Sequence, residues 1–384
     1  MEQHKFILFV TDHYNPLGIL RSLGEKKIHP YVILCAEHPT LVQHSRYIKK
    51  LYKAKTAEQG YDILIKQFGN EQTKPFVFTG SDEIVSILDQ NYNFLKDKFN
   101  FFNAGEEGRL TRLMDKSTLS KLAVESGINI PKTQIVKVGE LPTELKYPVI
   151  TKSIDSTCEG WKNNVYICYT PDELKEAYRH IKGEKIMLQE FIVKKNELCI
   201  DGISINGGEE IYMPLGAQYL RLSNSSYGYY FYFEKFEDKE LIEKIKILFK
   251  KTKFTGIFTI EFLIDQNNNY HFLEINFRHS AWGYANTACG INLPFIYAQS
   301  VLEGKLETGS ASIKKVPFKG LVEYLDYIHS VRTGQISFAK WIKEVVQADC
   351  LFYWNAKDPF PCICEFTHLF FGRIWHVIQR KFSR

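Results

Sequence analysis

The stretch Thr255–Arg278, TGIFTIEFLIDQNNNYHFLEINFR, carries oxygen-bearing side chains at spacings that could hold a divalent cation. Its two halves alternate as half-buried strands do, and the Asp-Gln-Asn-Asn-Asn run between them reads as a turn. A two-residue loop at Asn267 and Asn268 would set Glu261 directly opposite Glu274. Like charges opposed across a strand pair are destabilising. Asn276 lies two residues past Glu274 and projects from the same face. Two carboxylates and an amide oxygen make an oxygen-only set suited to Mg²⁺, an ion usually shared with substrate phosphates. The plainer alternative is a solvated hairpin face, which opposed glutamates among aliphatic and aromatic neighbours fit poorly.

The elements that would position such a site follow from the pattern upstream. Residues 5–10 (KFILFV) and 31–35 (YVILC) read as buried parallel strands, with a helix over Leu17–Lys27 between them. VFTGSDE (77–83) reads as a strand running into a helix from Ile84 to Leu95, capped by Ser81 or Asp82. Residues 1–103 thus form a small doubly wound α/β domain, whose ligands would sit beyond the carboxyl ends of its strands. Asp12, His13, Ser81 and Asp82 occupy those ends, although capping alone accounts for Ser81 and Asp82 as well. A helix is expected over Leu113–Ser126, then a strand at 147–152, a polar loop over 155–164 and a strand VYICY. A helix opening at Pro171 and a strand KIMLQEFIV follow. The polar loop could hold phosphates with backbone N–H groups or be a surface hairpin. Neither GxxxxGK[ST] nor GxGxxG occurs in the chain.

With 384 residues the chain can bury a sizeable core and divide into two or three domains. A net charge of +5 is mild for this length and calls for no nucleic-acid partner. No apolar run reaches a membrane span, and the N-terminal run reads as a first strand rather than a signal peptide. The eight cysteines lack a repeating spacing, and Cys362-x-Cys364 with His368 is too sparse for a four-ligand zinc site. Free thiols in a cytoplasmic protein are the expectation.

Taken in order, the motifs resemble the ATP-grasp superfamily, specifically its carboxylate–amine ligases. Lys116 in LMDKSTLSKLAVESGINIPKT looks like the first nucleotide-binding lysine, and Lys152 in YPVITKS like the second. LQEFIVKKNELCID (188–201) resembles the adenine hinge, which implies Glu190, Phe191 and Val193 as adenine contacts and Glu197 as the ribose ligand. Glu261, Glu274 and Asn276 match the Mg²⁺ ligands, with Mn²⁺ as an alternative ion. Arg278 matches the arginine of the ending N-P-R, although Phe277 replaces the proline. The lid loop has only Gly160, and Thr259 stands where some members carry an acyl-phosphate arginine, so Arg278 or Arg221 would have to serve. SRYIKK (45–50) and the TGSDE strand end resemble the preceding domain of these ligases, and the nearest likeness is to the D-aspartate ligase-like group, where WNAKDPFP (354–361) also has a counterpart.

The resemblance implies an N-terminal doubly wound α/β domain followed by a two-part α+β ATP-grasp domain. The boundaries expected are 1–103, 104–187 for the linker and lid, 188–305 for the core, and 306–384 for a C-terminal extension. It implies ATP-dependent joining of a small-molecule carboxylate to an amine through an acyl phosphate, with Arg278 as the catalytic arginine. A small-molecule kinase and a nucleotide-binding module without turnover are the competing readings. Phe366–Arg384 reads as a basic amphipathic segment with Arg373, Arg380 and Arg384 on one face and Phe370, Ile374, Val377 and Ile378 on another. Such a tail could lie on the inner membrane face and would suit a cell-envelope or polysaccharide precursor; a terminal helix packed on its own protein is the alternative.

Overall fold

Four short runs rich in β-branched and aromatic residues assemble as a parallel sheet in the computed structural model. Residues 1, 3–153, 165–223 and 227–368 are described. Strands β1 (Phe6–Thr11), β2 (Tyr31–Cys35), β3 (Lys50–Ala54) and β4 (Phe76–Phe78) take the order β3-β2-β1-β4. Ile7 pairs with Tyr31 and Val77 on either side of β1, so the central strand is covered on both edges. Helix Tyr14–Glu25 joins β1 to β2, Ala57–Phe68 joins β3 to β4 and Asp82–Gln90 follows β4, and Ile7, Phe9, Ile33, Leu64, Phe68 and Ile84 share one core. The α/β expectation for this region holds. The helix expected from Leu17 begins at Tyr14, because the His13 side chain caps it by accepting from the Asn15 N–H at 3.2 Å. The helix expected over Ile84–Leu95 breaks at Asn91, whose amide turns back to donate to the Ile87 carbonyl. β3 and helix Ala57–Phe68 have no counterpart in the sequence reading.

The chain separates into two units, Met1–Thr111 with Cys199–Ile260 and Ile275–Arg384, and Arg112–Leu198 with Glu261–Glu274. The smaller one contains an antiparallel sheet of β5 (Thr133–Lys137), β6 (Val149–Lys152), β7 (Ile167–Cys168) and β8 (Lys185–Glu190), ordered β5-β8-β6-β7. Helix Pro171–Tyr178 packs its Leu174 and Ala177 into a core with Val136, Val149, Ile186 and Leu188. Helix Lys116–Glu125 is capped by Asp115, which accepts from the Thr118 N–H at 2.8 Å. The expected lid loop, residues 155–164 with Gly160, lies outside the described residues.

The longest strands form the third sheet: β9 (Lys194–Ile205), β10 (Glu210–Ser223), β11 (Tyr227–Lys235), β12 (Gly256–Asp265), β13 (Tyr270–Asn276), β14 (Phe318–Leu321) and β15 (Cys350–Leu351). Their order is β13-β12-β9-β10-β11-β14-β15, so the C-terminal region completes a sheet begun more than a hundred residues earlier. The β12–β13 turn differs from the two-residue loop expected. The Asp265 N–H donates to the Asn269 carbonyl at 3.1 Å, the Asn268 N–H to the Asp265 carbonyl, and Asn268 takes a φ of +65°. This is a three-residue loop with a left-handed residue at its end. It wins because the Asp265 carboxylate accepts from the Asn267 and Asn269 N–H groups, both at 2.8 Å. Further along β13, Phe272 and Ile275 are both buried although three residues apart, so the period of two breaks between them.

No helix among the described residues is long and apolar enough to cross a membrane. The cysteines among them are all free thiols. The chain is helical over 360–368, and the tail residues Phe370, Arg373, Ile374, Val377, Ile378, Arg380 and Arg384 lie outside the description.

Candidate active site

The smaller unit encloses a cavity of about 840 Å³ between helix Lys116–Glu125, the β5–β8 sheet and the tip of the β12–β13 hairpin. Lys116, Lys152, Glu197, Glu261 and Glu274 all line it, so the structure brings together five residues scattered over 159 positions of sequence. Its lining also includes the apolar residues Val124, Ile130, Pro131, Ile135, Met187 and Phe272. Val124 and Ile135 leave about half their surface uncovered, which in a cavity of this size gives a flat, greasy platform.

Cations and carboxylates are interleaved within it. The Lys116 ammonium lies 3.6 Å from Glu274 Oε2. Lys152 Nζ donates to Gln189 Oε1 at 2.7 Å, and Lys194 Nζ to Glu197 Oε1 at 2.8 Å. Burial, then the nearby Lys116 charge, push the Lys152 ammonium down from 10.5 to about 8, against the pull of Glu274. Lys152 is therefore a cation held where cations are disfavoured, and a polyanion would restore its charge. Carboxylate oxygens of Glu197 and Glu261 lie within 4.8 Å of one another. These two carboxylates suit a hard divalent cation, whereas the third member of the group, the buried Cys199 thiol, does not.

Gln189 and Met187 were missed by the sequence reading. Alternation along KIMLQE places both on one face of β8, and β6 sets Lys152 beside Met187, so the signal was present in the period of two. The same alternation turns Glu190 to the other face. Glu190, Phe191 and Val193 are not among the lining residues. The Phe191 N–H is moreover taken by the Pro148 carbonyl at 3.0 Å, and the Glu190 N–H by Lys132. An adenine contact from Phe191 would have to come from its carbonyl.

Asn276 and Arg278 belong to the larger unit. Arg278 donates through Nε to Asp82 at 2.9 Å and through Nη2 to Asn276 Oδ1 at 3.1 Å. His13 lies close enough that burial and then the Arg278 charge depress its imidazole. His279 is fully buried; its Nδ1 faces Asn15 Oδ1 at 2.8 Å, while Asn15 Nδ2 donates to the His279 carbonyl. The amide orientation makes Nδ1 the protonated nitrogen, and burial lowers the ring to about 3, so His279 stays neutral. Arg221 is spent elsewhere. Its three donors reach Asp326 at 2.6 Å, Glu344 at 2.7 Å and Ser330 at 3.1 Å. Thr259 donates to the buried Asp201 at 2.6 Å.

No protein-family model matches the chain, and no curated protein does. Solved structures do. N5-carboxyaminoimidazole synthetase from Staphylococcus aureus matches at 16% identity over 86% of both chains, with a TM-score of 0.65. Its ADP complex matches at 17% identity over 81% of this chain and 80% of that one, with a TM-score of 0.61. L-amino acid ligase from Bacillus licheniformis matches at 13% identity over 79% of this chain and 78% of that one, with a TM-score of 0.59. The chain thus shares the fold of these proteins across most of its length, and the likeness is one of fold.

Proposed function

We propose that this protein is an ATP- and Mg²⁺-dependent ligase that joins a small-molecule carboxylate to an amine, releasing ADP and phosphate. The observation that carries this reading is the cavity in which Lys116 and Lys152 meet Glu197, Glu261 and Glu274 among apolar lining residues. The fold likeness to a named amino acid ligase, and to a synthetase that binds ADP, supports the same class.

In this reading Lys116 and Lys152 bind the phosphates, Glu197 accepts from the ribose hydroxyls, and the base lies against Val124, Ile135 and Met187. Glu261, Glu274 and Asn276 would hold Mg²⁺ or Mn²⁺, which when bound neutralises phosphate charge. The substrate carboxylate takes the γ-phosphoryl group, and the bond from γ-phosphorus to the bridging oxygen breaks toward ADP. The amine then attacks the acyl carbon, loses a proton, and phosphate leaves with the electron pair of the carbon–oxygen bond. Arg278 steadies the oxyanion formed on the way. Lys152 must be protonated to act, and the arriving polyphosphate supplies the field that protonates it.

The test is ADP formation with Mg²⁺ across paired libraries of carboxylates and amines. Turnover requiring both partners is expected. Full activity with a carboxylate alone would replace the ligase by a kinase.

A further inference from the structure

Asp201 lies on β9 in the larger unit, 5% exposed, and no lysine or arginine is bonded to it among the described residues. Its partners are neutral. Oδ1 accepts from Thr259 Oγ1 at 2.6 Å, and Oδ2 from Ser280 Oγ at 3.0 Å and Asn286 Nδ2 at 2.6 Å. Burial raises its pKa, while these bonds and the Arg278 charge oppose the rise. Taking a carboxylate out of water without a bonded cation is costly, so such a group is weak as a device for stability. What it does hold is a loop. Ser280 lies in the turn from β13 into helix Gly283–Cys289 and Asn286 lies in that helix, and Arg278 stands two residues before Ser280. From the other side, Asn15 grips His279 by ring and carbonyl, both at 2.8 Å. Gly283 passes so close that an added Cβ would come within 2.4 Å of the His279 ring. Residues 279 and 280 are thus fixed from two directions, and Arg278 precedes them.

We propose that Asp201 is the positioning residue for Arg278, its buried carboxylate anchoring the loop through Ser280 and Asn286 and being itself oriented by Thr259. The proposal rests on the role given to Arg278 above.

Thr259 offers the cleanest test, because Val keeps its shape and Ser keeps its hydroxyl. Thr259→Val should lower kcat for ADP formation about tenfold, the loss expected for one hydrogen bond to a charged group. The KM for ATP should stay within about twofold, since nucleotide binding is untouched. Thr259→Ser should keep most of the activity; a packing role would favour Val over Ser. The side-chain Nε–H resonance of Arg278, read by ¹⁵N NMR on full-length protein, gives a second measurement independent of turnover. It should move in Thr259→Val and Asp201→Asn and stay in Thr259→Ser. If the wild type turns over no substrate pair, the ligase reading fails and the resonance alone decides the positioning. Wild-type kcat in Thr259→Val, equal losses in both Thr259 variants, or an unmoved Arg278 resonance would each overturn it. If Asp201→Asn does not fold, the Thr259 pair still decides.

Discussion

Replacing Lys152 by methionine should stabilise the protein at neutral pH while abolishing nucleotide binding. Burial and the Lys116 charge bring its ammonium from 10.5 to about 8. An unfolded lysine keeps its proton up to about pH 10.4, whereas the folded one releases it near 8. Between those values the unfolded chain binds more protons, so stability rises with pH through that window and the full penalty is felt below it. At 1.36 kcal/mol per pH unit, holding the ammonium at pH 7 costs about 3 kcal/mol. Methionine keeps most of the stem and removes the charge. It also removes the 2.7 Å bond to Gln189, returning about 1 kcal/mol of the gain. The net is a stabilisation of about 2 kcal/mol at pH 7, fading to nothing or reversing by about pH 10.5. Urea denaturation of both proteins from pH 6.5 to 10.5 measures it, with Mg²⁺–ATP raising the midpoint of the wild type only. A variant less stable at pH 7, or a difference that does not change with pH, would refute the reasoning.

Glu274→Ala should cut ADP formation by more than about 100-fold, beyond the 10–100-fold expected of an outer-shell metal partner, with the circular dichroism spectrum unchanged; near wild-type turnover would remove Glu274 from the ligand set. Glu197→Ala should raise the KM for ATP more than it lowers kcat, the pattern of lost uniform binding, and an unchanged KM would return Glu197 to a purely structural pair with Lys194. Nucleotide affinity measured by calorimetry should fall as pH passes above about 8, where Lys152 must first recover its proton; a flat profile to pH 9.5 argues that other groups bind the phosphates. Arg221→Met should cost about 3–5 kcal/mol in urea, because it strands Asp326, 1% exposed, and Glu344 without their cation, and ATP affinity should not change.

Much of the site could be read from the chain because its parts are local. Lys116 follows a helix cap, Lys152 ends a strand, and Glu261 and Glu274 flank one turn, so each is placed by a pattern a few residues long. What escaped reading was what long-range pairing decides. β3, KLYKA, shows no period of two, and only its partner β2 makes it a strand. β14 and β15 are four and two residues long, and they exist because β11 offers β14 an edge and β14 then offers one to β15. The β12–β13 loop turned on a side chain, since Asp265 satisfies two N–H groups that a tighter loop would have directed elsewhere. Asp201 gave no sign in the sequence: three donors from positions 259, 280 and 286 converge on it only when folded.

The arginine best placed to serve a substrate can be sought by asking which guanidinium is held by partners it can exchange. Arg21 is 1% exposed and bonded to Asp358 and to the Phe352, Tyr353 and Asp358 carbonyls, so it knits the fold. Arg221 divides its three nitrogens among Asp326, Glu344 and Ser330. Arg278 differs in kind. Its acidic partner, Asp82, is half exposed and opens a helix at the carboxyl end of β4. An ion pair with such a partner is worth little and exchanges readily for a better anion. A rigid planar fork on a pinned loop, paired with a weakly held carboxylate, is how a protein keeps an arginine both oriented and available. Through Asp201, Thr259 then serves the arginine that stands nineteen residues further along the chain.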